Sequence, residues 1–308
     1  MNSTTPTSAY HCSGELNRLE IVILATLNTT LALISTFGNA LILAAICLES
    51  SQRTVSNAFI ASLGMADFSV GLIMNPLWVS KSILNIWRSD NLISTAIEVL
   101  TMQTIVATSF SLCAVSLDRY ISVTNIRYNE KVTWNRVRMV IASIWVFSIT
   151  FASLRLLIKD PFELPKLWIA ATVITVVSPC LVISICYYFM FKAAQIQIRK
   201  IAKRETVTNR DEAIARLKNR KAVFTIGIVV GVFVVCWTPS LVISFVQFFY
   251  NDPCERMKLN GHWFWGALAE FSNSAFNPFI YCIRMRDFRK AVKRVLFRFR
   301  IAKYFINP

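Results

Sequence analysis

The sequence predicts an all-α membrane protein, a seven-transmembrane helix bundle followed by a C-terminal amphipathic interfacial helix. Three observations predict it. The chain is 55% hydrophobic and only 16% charged, whereas soluble domains run at about 45–50% and about 25%. Runs of mostly apolar residues at roughly 21–48, 57–80, 92–117, 139–158, 167–191, 222–250 and 262–283 each approach or exceed the ~20 residues needed to cross a bilayer core. The basic residues also lie largely on one side of these runs. Of the 33 Lys and Arg, 25 fall after spans one, three, five and seven.

By the positive-inside rule, residues 1–20 form an extracellular N-terminal tail, 21–283 the bundle, and 284–308 a cytoplasmic amphipathic helix and tail. The protein is then multi-pass in the plasma membrane. The net charge of +16 is read as anchoring to anionic lipid and not as a nucleic-acid surface, because the charges flank hydrophobic spans.

Residues 1–20 are polar and include His11, Glu15, Arg18 and Glu20. They lack the apolar core of a cleavable signal, so the first span is expected to act as its own anchor. Asn2-Ser3-Thr4 is a glycosylation sequon in the outside tail, whereas Asn28-Thr29-Thr30 falls within the first span, out of reach. That span also carries Gly38-Asn39. The second carries Asp67, and an intramembrane carboxylate must find a partner. It marks either a functional site or a protonated acid hydrogen-bonded to a neighbouring helix.

In the third span Thr101, Thr108, Leu112 and Arg119 recur at intervals of seven, four and seven residues, so they share one helix face. The span ends in Asp118-Arg119-Tyr120, where an adjacent acid pairs with the arginine. Trp145 lies in the fourth span, and the connection that follows, 159–166, is short and has no cysteine. Pro179 and Tyr187 lie in the fifth span; Phe233 and Cys236-Trp237-Thr238-Pro239 lie in the sixth.

The last span holds Ser272-Asn273-Ser274-Ala275-Phe276-Asn277-Pro278-Phe279-Ile280-Tyr281. Its polar side chains each cost several kcal/mol in order of magnitude if left unpaired in lipid. Pro278 distorts the helix beside them. Beyond it, Phe288, Val292, Leu296 and Phe299 recur at helical spacing among Arg289, Lys290, Lys293 and Arg294, the pattern of a helix lying on the inner leaflet.

Taken in order, Gly38-Asn39, Leu63 with Ala66-Asp67, Asp118-Arg119-Tyr120, Trp145, Pro179 with Tyr187, Cys236-Trp237-Thr238-Pro239 and Asn277-Pro278-Phe279-Ile280-Tyr281 resemble the motifs of the rhodopsin-like (class A) G-protein-coupled receptors. The resemblance covers essentially the whole chain. It implies a receptor that binds an extracellular ligand and activates a heterotrimeric G protein by opening the cytoplasmic side of the bundle. It implies no cofactor beyond a sodium ion as allosteric ligand, held by Asp67, Thr108, Asn273, Ser274 and Asn277.

By the same resemblance Asp118, Arg119, Tyr120, Pro179, Tyr187, Phe233, Pro239, Pro278 and Tyr281 form the activation switch. Glu98, Thr101, Met102, Trp237, Leu241, Ser244, Glu270 and Phe271 line the ligand cavity. Glu270 is the candidate partner for a cationic ligand, the alternative being a structural hydrogen bond within the bundle.

Departures from the family pattern narrow these expectations. Ser94 stands where most members have the cysteine bonded to the second outer loop. Cys12 and Cys254 are expected to pair instead, the alternatives being free thiols or a bond to another chain. The missing loop disulfide and short second outer loop resemble the melanocortin receptors, whereas Pro179 and the segment from Asn277 to Phe288 are closer to adenosine and amine receptors.

Thr101 replaces the aspartate of amine receptors, Phe271 the lysine of opsins and Ser244 the asparagine of adenosine receptors. Asn219 stands where many members put an acid that locks the third-helix arginine, which implies appreciable agonist-free signalling. The alternative function is an ion-coupled transporter using Asp67 and Glu270. An enzyme is not expected, because His11 and His262 join no catalytic or metal-ligand constellation.

Overall fold

The protein is described here as a computed structural model covering residues 15–84, 92–125, 127–158, 164–203, 210–250, 252, 254 and 258–306. Asn2 and Cys12 lie outside the described residues, as does the side chain of Asn219. The spanning helices are α1 (Arg18–Leu48), α2 (Val55–Ile83), α3 (Leu92–Thr124) and α4 (Trp134–Leu157). They continue with α5 (164–203), α6 (Arg210–Phe249) and α7 (Asn260–Arg284). The amphipathic α8 (Arg286–Ile306) follows, and a single helical turn, Tyr128–Lys131, bridges α3 and α4. No strand occurs among the described residues.

Six of the seven spanning helices are long and apolar enough to cross a membrane by composition. The 25 residues of α7 give about 37 Å of helix at ~1.5 Å per residue, more than the ~30 Å hydrocarbon core. This helix falls short in apolarity only, because it carries Glu270, Ser272, Asn273, Ser274 and Asn277. Large exposed apolar side chains such as Val22, Phe37, Val146, Ile149, Leu181 and Phe279 form the outer belt.

Local chemistry sets the ends and bends. Asn17 caps α1 in a reciprocal box with Glu20, each bond 2.9 Å, and Thr54 caps α2 by accepting from Asn57 N. Pro179 distorts α5, and the distortion is a π segment at Val173–Val177 in which Ser178 N–H reaches Val173 O. A second π segment at Val70–Met74 precedes Pro76 in α2, where Asn75 N–H reaches Val70 O. Each proline lacks an N–H and presses on the carbonyl four residues back, so the turn before it opens. Pro239 and Pro278 sit inside continuous α6 and α7.

Two glycines admit close helix approaches. A Cβ on Gly38 would lie 2.9 Å from Pro278 Cγ, and one on Gly71 would lie 2.6 Å from Thr36 N. The first brings α1 against the proline of α7, and the second brings α1 against the opened turn of α2. Trp145 Nε1 donates to Ser62 Oγ at 3.1 Å, and Ser62 Oγ is 3.1 Å from Ser111 Oγ. This polar seam joins α4, α2 and α3.

Below the membrane, α8 buries Phe288, Ala291, Val292 and Val295 against the bundle. Glu49, buried at the end of α1, pairs with Arg294 and, at 3.2 Å, with Arg298. Each large apolar side chain buried here contributes ~1.5–3 kcal/mol. Ion pairs with such exposed arginines contribute only ~0–1 kcal/mol, so packing docks α8 and charge sets its register. Cys254 is disulfide-bonded, while Cys47, Cys113, Cys180, Cys186, Cys236 and Cys282 are free thiols.

Gly71→Ala tests the α1–α2 contact. Alanine gains up to ~1 kcal/mol in helix propensity, but its methyl meets backbone that cannot rotate away, a cost of ~1–3 kcal/mol. Net destabilisation, read as a lower thermal unfolding midpoint of the purified protein, is the expected result.

Candidate functional site

The site begins with Asp67, fully buried in the middle of α2. Its two carboxylate oxygens each accept from α7, one from Ser274 Oγ at 2.8 Å and the other from Asn277 Nδ2 at 2.6 Å. A donor on each oxygen is how a buried carboxylate is satisfied. The α2 backbone is tied in as well, since Ser35 Oγ of α1 donates to Asp67 O at 2.8 Å. Asn39 completes the joint by donating to Ser35 O at 2.9 Å and to Ser274 O at 3.0 Å. Three helices therefore meet around one buried acid.

The neighbouring oxygens suit a small hard cation. The side-chain amide oxygens (Oδ1) of Asn39, Asn273 and Asn277 are all buried without a hydrogen-bond partner. Thr108 and Asn273, the other two residues expected around sodium, are not bonded to Asp67. They line a cavity of about 20 Å³ together with Ser274, Val70, Thr104, Ile105, Trp237, Glu270 and Phe271. Such a space exceeds the ~10–15 Å³ that one water requires. It is far below the ~300–1,000 Å³ of an organic ligand pocket.

Trp237, Glu270 and Phe271 line the small cavity, and Trp237 stacks on Phe233 with ring centroids 5.4 Å apart. Glu98 is engaged by Arg155 of α4, whose Nη1 also donates to Ile158 O at 2.9 Å. The guanidinium supplies the counter-charge of Glu98. Met102 packs with Val106, Phe151, Ala152, Leu167 and Ala171, away from that cavity. Thr101 is buried and donates to Ile97 O at 2.7 Å within its own helix. Leu241 packs on the central core, and Ser244 is half-buried.

At the cytoplasmic end Asp118 receives three donors: Arg119 Nη2 at 2.9 Å, Ser56 Oγ at 2.7 Å and Tyr128 OH at 2.6 Å. The sequence reading did not find Ser56 or Tyr128. Both reach Asp118 from other elements, and no spacing along α3 signals them. Arg119 Nε is buried without a partner, as is Tyr281 OH, and the Tyr281 ring lies against Phe288, centroids 5.9 Å apart. Tyr187 lies against Gly227 of α6. Pro179 O accepts a long contact from Cys113 Sγ, and Tyr120 faces Phe189. Asp118 thus holds three donors, while Arg119 Nε and Tyr281 OH still have bonds to make.

The sequence that carries these residues is matched by a family model. The model for the 7 transmembrane receptor (rhodopsin family) matches residues 38–281. The chain belongs to the rhodopsin family of seven-transmembrane receptors. Among relatives of this family, the Histamine H2 receptor of Rattus norvegicus is 29% identical, covering 94% of this chain and 83% of its own length. Dopamine receptor 1 of Drosophila melanogaster is 28% identical over 91% of this chain and 63% of its own. Adenosine receptor A2a of Homo sapiens is 27% identical over 88% and 71%.

The protein is therefore a multi-pass G-protein-coupled receptor of a signalling family and not an enzyme family. The ion-coupled transporter reading finds no support among these relatives.

The Tyr128 phenol is pushed up to about 12, first by burial and then by its bond to Asp118. It stays a donor through the physiological range. Because the folded value lies above the ordinary 10.0, the contribution is complete below that value and is lost as pH rises toward the folded one. Tyr128→Phe is expected to lower unfolding stability by about 1.5 kcal/mol. In thermal unfolding the gap from wild type should be constant from roughly pH 6 to 9 and narrow above about pH 10.

Proposed function

We propose that this receptor lies in the plasma membrane with its N-terminus outside and its C-terminus in the cytoplasm. An extracellular ligand bound above Trp237 biases the bundle toward a state that admits a heterotrimeric G protein, and sodium at Asp67 favours the resting state. One observation carries the reading. Ser274 both donates to Asp67 and lines the cavity beneath Trp237, so an ion on one side and a ligand-driven movement on the other act on the same α7 turn. A ligand shifts the equilibrium only through its different affinity for the two states.

The ligand is a small organic molecule, the class to which histamine, dopamine and adenosine, named in the relatives, belong. Thr101 offers no charge and Glu98 is engaged by Arg155, so an ammonium–carboxylate contact to α3 is not its anchor. Tyr187, Tyr281 and Arg119 rearrange together on activation, supported by the unpartnered Tyr281 hydroxyl and Arg119 Nε. Outside the membrane, the disulfide-bonded Cys254 pairs with Cys12, and Asn2 carries a glycan.

Basal signalling, read as second messenger against receptor surface density, is expected to rise with expression because Asn219 offers Arg119 no acidic lock. A flat line counts against it. In membranes, replacing sodium with choline should raise that basal signal in the wild type and leave Asp67→Asn unchanged. An equal rise in both would remove Asp67 as the sodium site.

A further inference from the structure

Specific contacts run the length of the seam between α6 and α7. At its outer end Trp263 Nε1 donates to Gln247 Oε1 at 2.9 Å. Lower down, Gly266 lies so close to Ser240 that a Cβ there would come 2.9 Å from the hydroxyl, and Cys236 Sγ is 3.4 Å from Ser272 Oγ. At the inner end the guanidinium of Arg284 lies over the ring of Phe224, its central carbon 4.8 Å from the centroid. Phe224 is twelve residues below Cys236 on α6, and Arg284 twelve below Ser272 on α7, about 18 Å at ~1.5 Å per residue. A tilt of α6 about the Cys236–Ser272 level therefore moves Phe224 much further than it moves the contacts above.

Packing alone does not hold this inner contact, since Phe224 is 59% exposed and Arg284 is exposed too. What holds it is the attraction of a cation to the negative face of an aromatic ring, for which the flat guanidinium is well suited. Arg284 is also the basic residue in the last turn of α7, where the partial negative charge of the helix end favours a cation whether or not α6 is near. The other neighbours of α6 at this depth offer no comparable tie. Asn219 brings no acid toward α3, where Arg119 pairs with its own neighbour Asp118. Toward α5, Gly227 meets the Tyr187 ring by close approach.

We infer that Arg284 and Phe224 form a clasp that holds the inner end of α6 against α7 in the resting bundle, a cation–π tie to α7 standing in for an acidic tie to α3. The inference rests on the proposed opening of the cytoplasmic side, and names a pair of residues that restrains it. A cation–π contact at an exposed site shifts such an equilibrium by about two- to fivefold. The clasp thus lowers agonist-free signalling without abolishing it, and it breaks when Phe224 moves away from α7.

The full-length receptor in cell membranes tests it, with basal second messenger measured per receptor at the surface. The wild type, Phe224→Leu, Phe224→Trp, Arg284→Gln and the Phe224→Leu/Arg284→Gln double variant are compared. Phe224→Leu and Arg284→Gln should each raise the basal signal about two- to fivefold, and Phe224→Trp, which offers the strongest ring, should lower it. The double variant should rise no further than either single one, because both remove the same contact. To separate the clasp from any contact of these side chains with the G protein, the position of α6 is read in purified receptor without G protein. The readout is the 19F signal of a trifluoromethyl-phenylalanine introduced at the inner end of α6. The outward population should grow with Phe224→Leu and Arg284→Gln and shrink with Phe224→Trp.

Wild-type basal signal in both single variants overturns the clasp, as do additive rises in the double variant. A raised signal with unmoved 19F populations also overturns it, placing the effect at the G-protein face. Two α6 populations that added G protein shifts but the variants do not remove the clasp and leave the opening reading intact. A single α6 position that neither the variants nor added G protein changes overturns both.

Discussion

A carboxylate buried at membrane depth is the constraint from which most of this structure follows. Isolated, the charge of Asp67 would cost far more than any single contact returns. The neighbouring helix must therefore present donors, and α7 does so with Ser274 and Asn277 on the face turned toward α2. That requirement makes α7 the least apolar of the spans. Its close approach to α1 is permitted by Gly38, which leaves room for the Pro278 ring, and secured by Asn39, which bonds the Ser274 carbonyl. Polar satisfaction and steric fit are here one design, since loosening the α1–α7 contact would also withdraw the donors from Asp67.

The two ends of the core are satisfied to different degrees. Asp118 is saturated by Arg119, Ser56 and Tyr128, which holds α3, α2 and the short inner turn together. The Tyr281 hydroxyl and Arg119 Nε remain buried and unpartnered. Each unmade bond is a penalty of ~1–3 kcal/mol carried by this arrangement, and a rearranged bundle that satisfies them recovers it. A small energy gap between two packings is the condition for a switch that a ligand's differential affinity is able to move.

How legible this was differs by residue. The spans were readable because lipid demands uninterrupted apolar helix, and the polar cluster of α7 stood out against that demand. Asp67 and its α7 partners were readable through motif resemblance. Tyr128 and Ser56 were not, because their meeting with Asp118 depends on how an inner loop folds back. The Glu98–Arg155 pair was missed for the same reason: the two residues are on different helices, and neither reports the rotation of the other. Pro76 carried a signal in its missing N–H, yet the π segment it produces in α2 was not anticipated. Within α8, helical spacing marked the apolar face, but not that Glu49 would meet its arginines.

The sequence by itself determined the number of crossings, the chemical outlier in each, and the face of each helix on which it lies, because one-dimensional period and composition are enough to specify these. Only the tertiary structure decided which outliers meet. Helix rotation, the close approaches at Gly38 and Gly71, and the opened turns before Pro76 and Pro179 are set by packing between segments far apart in the chain. Those contacts brought Ser274 to Asp67, turned Glu98 to Arg155, and left Glu270 lining a small cavity with Trp237.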